Sequence, residues 1–221
     1  MNQNLSEIVY ILDRSGSMEP LQQAAIDGFN EFLKGQLDSP GDANLSLMLF
    51  DDEFNKIHDR TPLQKVRALN HKTYSPRGST ALLDAIGFSI DTLGKQLAAE
   101  PEEKRPGKVI VAIYTDGYEN ASNHYTLKEI HQRITRQRKE FAWEFLFLAA
   151  NQDAIATATQ MGIDRSMASS VQLNEKGMRD STASMSRKLK AMRAIHRTLE
   201  EEADFTKSMS EIVSEEEAKE D

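Results

Sequence analysis

The chain has no cysteine among its 221 residues. Disulfide bonds, thiolate metal sites, cysteine nucleophiles and iron–sulfur clusters are therefore excluded, and a reducing compartment is mildly favoured. Long hydrophobic runs are also missing, since no stretch approaches the roughly 18 apolar residues that span a bilayer. The N-terminus lacks a basic n-region, and its apolar run at residues 8–12 is too short for a signal peptide. These absences predict a soluble, cytoplasmic protein.

Net charge is scarce outside one short segment. The chain carries 35 acidic and 27 basic residues and has a net charge of −8. Residues 200–221 contain ten of the acidic and two of the basic residues, so this segment alone accounts for the net charge. The other charges cancel, which removes the case for a nucleic-acid or anionic-membrane partner. The sequence predicts one domain over residues 1–199 and an acidic tail over 200–221, disordered from about Ser214.

Short apolar runs alternate with helical periodicity along the chain. Buried strands are predicted at residues 8–12, 45–50, 109–114 and 143–149, with a half-exposed edge strand at 53–60 and a weaker strand near 170–173. Apolar residues at helical spacing lie between them, at 21–33, 82–97, 127–141, 155–161 and 178–199. This alternation predicts an α/β fold with a doubly wound, mostly parallel central sheet. The sheet should have about six strands, one of them an antiparallel edge strand, flanked by helices in a Rossmann-like arrangement.

Oxygen-bearing side chains are concentrated in three loops at the predicted carboxyl ends of strands, where sites form in such sheets. These candidate site residues are Asp13, Ser15, Ser17, Thr80 and Asp116. Carboxylate and hydroxyl oxygens are hard ligands that suit an octahedral cation such as Mg²⁺ or Mn²⁺. The pattern contains no His or Cys, which argues against zinc.

The pattern Asp13-x-Ser15-x-Ser17, followed by Thr80 and Asp116-Gly117, resembles the metal-ion-dependent adhesion site (MIDAS) of a von Willebrand factor A domain. The resemblance covers residues 5–175 and is to the intracellular bacterial members. It implies that the three hydroxyls contact Mg²⁺, with Mn²⁺ or Ca²⁺ as alternatives, and that both aspartates act directly or through water. It also implies a partner protein that supplies an acidic residue, such as an AAA+ ATPase or a multiprotein assembly.

Several of these signals have plainer interpretations. Asp-x-Ser is also a common helix N-cap. Asp51 and Asp52 could support the site from behind or form the turn into the edge hairpin. The rim of the site or a solvated loop could hold the polar residues Glu119, Asn120, Asn123 and His124. The basic residues between 181 and 199 suit a solvated helix face, or one that pairs with the acidic tail.

Three classes of function remain open. The leading one is a metal-dependent protein-binding module without catalysis, because the chain has no nucleophile–base pair and no phosphate-cradling glycine loop. The rival is a Mg²⁺-dependent hydrolase such as a phosphoesterase, since paired aspartates at strand ends also serve phosphoryl transfer. Against it, Ser15 stands where phosphotransfer aspartates have a second Asp. The third is a self-assembling protein whose acidic tail supplies the ligand to the metal of another copy.

Overall fold

A six-stranded sheet forms the centre of the protein in the computed structural model, which describes residues 1–150 and 153–219. The strands are β1 (Asn2–Asp13), β2 (Asp42–Phe50), β3 (Phe54–Pro62), β4 (Pro106–Thr115), β5 (Glu144–Ala149) and β6 (Ala168–Ser170). Their order is β3-β2-β1-β4-β5-β6, and every neighbouring pair is parallel except β2 and β3. The predicted mostly parallel sheet with one antiparallel edge strand is confirmed.

Helices cover both faces of this sheet. They are α1 (Gln22–Leu37), α2 (Leu82–Ala98), α3 (Leu127–Phe141), α4 (Ala154–Gln160), α5 (Glu175–Arg193), α6 (Leu199–Thr206) and α7 (Met209–Glu217). Successive strand residues point to opposite faces, so Tyr10 packs with the core of α1 and α5, and Ile11 with that of α2 and α3. None of the helices in residues 1–150 and 153–219 combines the length and apolar character needed to cross a bilayer.

The last predicted helix is divided into two. The apolar spacing predicts one helix through Leu199, but α5 ends at Arg193, and Ala194 has an extended backbone. The amine of Lys108 donates to the carbonyls of Arg193 and Ala194, both at 2.9 Å, and so caps the end of α5. Thr198 then starts α6 with a capping box. Leu199 is 93% exposed and therefore does not belong to the buried stripe.

The acidic segment is helical, which corrects the predicted disorder from about Ser214. Helix α7 continues through Ser214 to Glu217 and buries Met209, Ile212 and Val213. The guanidinium of Arg187 on α5 pairs with three carboxylates of α6 and α7, those of Asp204, Glu215 and Glu216, at 2.5, 2.9 and 2.6 Å. The acidic segment therefore neutralises Arg187 on the basic face of α5. The burial of its apolar residues favours an ordered segment, which the repulsion among its acidic residues would oppose.

Candidate metal centre

The candidate ligands emerge at one edge of the sheet because β1 and β4 are parallel neighbours. Leu12 lies opposite Tyr114, so Asp13 at the end of β1 and Asp116 just after β4 are brought together. Backbone hydrogen bonds join the three loops that carry the motif. Gly16 donates to the carbonyl of Gly78 at 3.1 Å, and Asn120 donates to that of Thr80 at 3.0 Å. The structure thus brings together the loops at residues 13–21, 75–81 and 116–126.

Hydrogen bonds link four of the five candidate residues, and Thr80 lies beside them. The Ser15 backbone N–H donates to Asp13 Oδ1 at 2.7 Å, and the hydroxyls of Ser15 and Ser17 lie 3.1 Å apart. Ser17 then donates to Asp116 Oδ1 at 3.0 Å. The hydroxyl of Thr80 lies close by, since a Cβ atom at Gly117 would sit 3.1 Å from Thr80 Oγ1 and 3.8 Å from Ser17 Oγ. A side chain at position 117 would therefore press on the Thr80 hydroxyl, and glycine lets the loop pass close to it.

Both carboxylates are buried, and burial disfavours their charged forms. It raises the pKa of Asp13 from an ordinary 3.8 to about 6, and the hydrogen bonds from Thr115 and Ser15 only partly oppose this shift. Burial raises the pKa of Asp116 as well. Asp116 Oδ2 is buried and has no hydrogen-bond partner. Two desolvated carboxylates, one of which has an unsatisfied oxygen, and three hydroxyls form a donor set that fits a hard divalent cation.

Two residues that the sequence pattern did not single out hold Asp13 in place. The Thr115 hydroxyl donates to Asp13 Oδ2 at 2.5 Å, and the phenol of the fully buried Tyr74 donates to the Asp13 carbonyl at 2.7 Å. Thr115 could have been found from its place beside Asp116 at the strand end. Tyr74 comes from a long loop, and no local pattern connects it to β1.

Asp51 holds two of the site loops together. Its carboxylate is fully buried, and Oδ2 lies 2.8 Å from Arg14 Nε and 3.0 Å from Arg77 Nε. Oδ1 also accepts from the backbone of Glu53 at 2.6 Å, as expected of a turn into the β2–β3 hairpin. Asp51 thus both supports the site from behind and forms the turn into the hairpin. The neighbouring Asp52 is exposed.

The polar rim residues hold the loop after β4 against α2. Asn120 accepts from the backbone of Thr80 at 2.9 Å and is thereby next to a candidate ligand. Glu119 accepts from the first turn of α2 at Leu83 N, also at 2.9 Å. The backbone of Asn123 and the ring of His124 both donate to Asp84 of α2. These contacts fix the shape of the loop rather than adding ligands to the site.

Comparison with known proteins finds similarity at the level of structure. No protein-family model and no curated protein matches the sequence. Proximal thread matrix protein 1 from the mussel byssus is 13% identical over 86% of this chain and 46% of that one, with a TM-score of 0.58. A von Willebrand factor type A protein from Catenulispora acidiphila is 10% identical over 84% and 43%, with a TM-score of 0.57.

Two further structures extend this similarity. The ArnB paralog VWA2 from Sulfolobus acidocaldarius is 13% identical over 82% of this chain and 44% of that one, with a TM-score of 0.52. A structure of the mussel protein whose MIDAS motif is occupied by zinc is 16% identical over 73% and 40%, with a TM-score of 0.51. The chain spans less than half the length of each of these proteins. At such identities the similarity concerns the fold.

Proposed function

We propose that this chain, which has the fold of a von Willebrand factor A domain, is a non-catalytic protein-binding module whose partner supplies an acidic residue to a bound divalent metal ion. One observation carries the proposal. Asp116 Oδ2 is buried without a hydrogen-bond partner, among three hydroxyls and the second buried carboxylate, that of Asp13. When bound, a divalent cation supplies the positive charge that these oxygens lack.

The ligands divide into an inner and an outer part. Asp13 is fully buried and held by Thr115, so it would hold the ion on the buried side of the site. Ser17 is exposed, as are Gly78 and Ser79 of the neighbouring loop, so the site opens to solvent on this side. A carboxylate from another protein can reach the ion from there. Mg²⁺ accepts such a ligand readily, because it normally retains exchangeable waters.

The two other classes of function have less support. General acid–base catalysis needs a titratable group within hydrogen-bond reach of the reacting atoms. The imidazole of His124, in the rim loop, is instead paired with Asp84 at 3.0 Å. Self-assembly through the acidic segment would have to use its exposed carboxylates, such as that of Glu200, because those of Asp204 and Glu216 are buried in ion pairs with Arg187 of the same chain.

Metal binding is tested by thermal unfolding with Mg²⁺ or with EDTA. We expect saturating Mg²⁺ to raise the stability by about 2 kcal/mol, which corresponds to about 4–8 °C for a chain of this size. Thr80→Ala should remove most of this increase, because it deletes one hydroxyl ligand without disturbing the core. Mn²⁺, Ca²⁺ and Zn²⁺ are compared in the same way, since the mussel protein holds zinc in its MIDAS motif.

The matched control is Thr61→Ala, since Thr61 lies on the edge strand β3 and away from the metal centre. It should keep the full response to Mg²⁺. Immobilised wild-type protein should then retain a partner from native lysate in Mg²⁺, whereas Thr80→Ala should not. The proposal fails if no divalent metal stabilises the wild type, or if Thr80→Ala responds as the wild type does.

Metal binding should also depend steeply on pH. A divalent cation competes with the proton on Asp13, whose pKa lies at about 6 in the metal-free protein. When the pH falls from about 7.5 to about 5, protonation of Asp13 alone should lower the metal affinity about tenfold. Protonation of Asp116, whose pKa is also raised, adds to this loss. Isothermal titration with Mg²⁺ across this range measures the effect, with circular dichroism to verify folding. An affinity independent of pH would contradict the assignment of Asp13 as a ligand.

A further inference from the structure

The surface around the candidate metal centre is built from small residues. Gly16, Ser17, Gly78 and Ser79 are all exposed, and the partly exposed Gly117 completes the set. We call these five residues the small-residue floor. None of them has a side chain that extends beyond a hydroxyl group. A segment of a partner protein can therefore approach the metal centre closely across this floor.

The large aromatic side chain of Tyr118 lies beside the small-residue floor. It follows Gly117 directly and is 62% exposed. Within the described loops at residues 13–21, 75–81 and 116–126, no other large apolar side chain is exposed. Exposed aromatic side chains next to a polar recognition site are frequent anchors of protein–protein interfaces, because they bury a large area on binding.

The backbone on both sides of Tyr118 is fixed by hydrogen bonds. Gly117 N donates to the Thr115 hydroxyl at 3.3 Å, and Asn120 N donates to the Thr80 carbonyl at 3.0 Å. The carboxylate of Glu119 accepts from the backbone of Ala121 and Ser122 and from α2. Little conformational entropy of this loop is therefore lost when a partner binds, which favours an anchor at this position.

We infer that Tyr118 is a second contact point of the same binding surface and selects partners that carry an apolar side chain close to the acidic residue. This inference rests on the proposed function. Tyr118 is one residue from Gly117, which lies against Thr80 and Ser17. An extended segment advances about 3.3 Å per residue, so the apolar side chain lies within about three residues of the metal-bound acidic residue.

Two charged side chains border this surface. The exposed Asp52 lies against Gly78 of the small-residue floor and presents a negative charge there. Arg77 belongs to the same loop as Thr80, and its guanidinium is bound to Asp51 at 3.0 Å and also to Glu53. Arg77 is therefore poorly available to bind a second acidic residue of the partner. The negative charge of Asp52 disfavours a second acidic residue of the partner at this surface. The ring of Tyr118 offers an apolar contact, which an apolar residue of the partner fits better than a charged one.

A displayed library of short random peptides tests the inference. Selection is carried out on the wild type in Mg²⁺ and in EDTA, and on Tyr118→Ala, Tyr118→Phe and Leu199→Ala in Mg²⁺. Leu199 is 93% exposed on α6 and serves as the matched control for loss of a surface apolar side chain. The Mg²⁺-induced rise in melting temperature shows that each variant is folded and binds metal.

We expect wild type, Tyr118→Phe and Leu199→Ala to enrich peptides with an acidic residue and an apolar residue within about three positions of it. Tyr118→Ala should keep the acidic preference, lose the apolar one and bind the selected peptides about tenfold more weakly. An acidic preference with no apolar preference, or an apolar one unchanged in Tyr118→Ala, overturns the inference and leaves the proposed function intact. No Mg²⁺-dependent enrichment of acidic residues overturns both.

Discussion

Replacing Asp13 by Asn is expected to raise the stability of the metal-free protein while abolishing its response to Mg²⁺. Because the folded-state pKa of Asp13 is raised from 3.8 to about 6, protonation of this group favours the folded state. That stabilisation is complete below pH 3.8 and is lost as the pH rises through about 6. Asn resembles the protonated side chain at every pH. Near pH 7 we expect a gain of about 1–3 kcal/mol in EDTA, or about 2–12 °C.

Thermal unfolding of both proteins in EDTA at about pH 7 and about pH 4 provides the measurement. The advantage of Asp13→Asn should be present at the higher pH and shrink at the lower. Asp84→Asn is the matched control, since Asp84 is also buried but accepts three backbone N–H groups that lower its pKa. It should destabilise the protein near neutral pH. A less stable Asp13→Asn in EDTA, or one that still responds to Mg²⁺, would refute this account.

The second large effect is expected from Arg187→Met, which should destabilise the protein by about 2–4 kcal/mol. The substitution keeps an apolar stem of similar length but leaves the carboxylates of Asp204 and Glu216, both largely buried, without their common cation. Like charges would then face each other between α6 and α7. The cost should fall mainly on these two helices, because Arg187 connects both of them to α5.

Urea unfolding measures the loss of stability, and amide hydrogen exchange locates it. Arg136→Met is the matched control, because Arg136 pairs with Glu140 where both side chains are more than half exposed. Exposed pairs contribute little, so this variant should differ from the wild type by less than about 1 kcal/mol. Equal stability losses in the two variants, or unchanged protection of α6 and α7 in Arg187→Met, would argue against the role given to Arg187.

The fold could be predicted from the sequence largely because of β1. Its residues alternate between two buried faces, so an unbroken apolar run is the expected pattern of a central parallel strand. The C-terminal segment could not be predicted from its charge. Two capping boxes, Thr198 with Glu201 and Ser208 with Glu211, begin α6 and α7 and are visible in the sequence. The acidic composition of the segment nevertheless indicated disorder. The pairing with Arg187 that offsets this charge is a tertiary contact and is not visible in the local sequence.

Those parts of the candidate site whose residues lie close together in the sequence, or directly after a strand, could be predicted. The spacing of Asp13, Ser15 and Ser17 fits a single turn, and Asp116 follows a recognisable strand. The support for these residues comes from remote segments, as with Tyr74 below Asp13 and the buried pairing of Arg14 with Asp51. Such contacts depend on how loops pack on one another, which no periodicity of a single segment encodes.

The position of β1 between β2 and β4 has a consequence for the order of folding. The N-terminal strands β1, β2 and β3 pair with near neighbours in the chain, whereas β4 must close a long loop to reach β1. Asp13 lies on one side of that closure and Asp116 on the other. A nascent chain that has not yet docked β4 therefore lacks Asp116, one of the two carboxylates of the candidate site. A metal ion bound there would select the completed native sheet and retard unfolding rather than guide the early steps of folding.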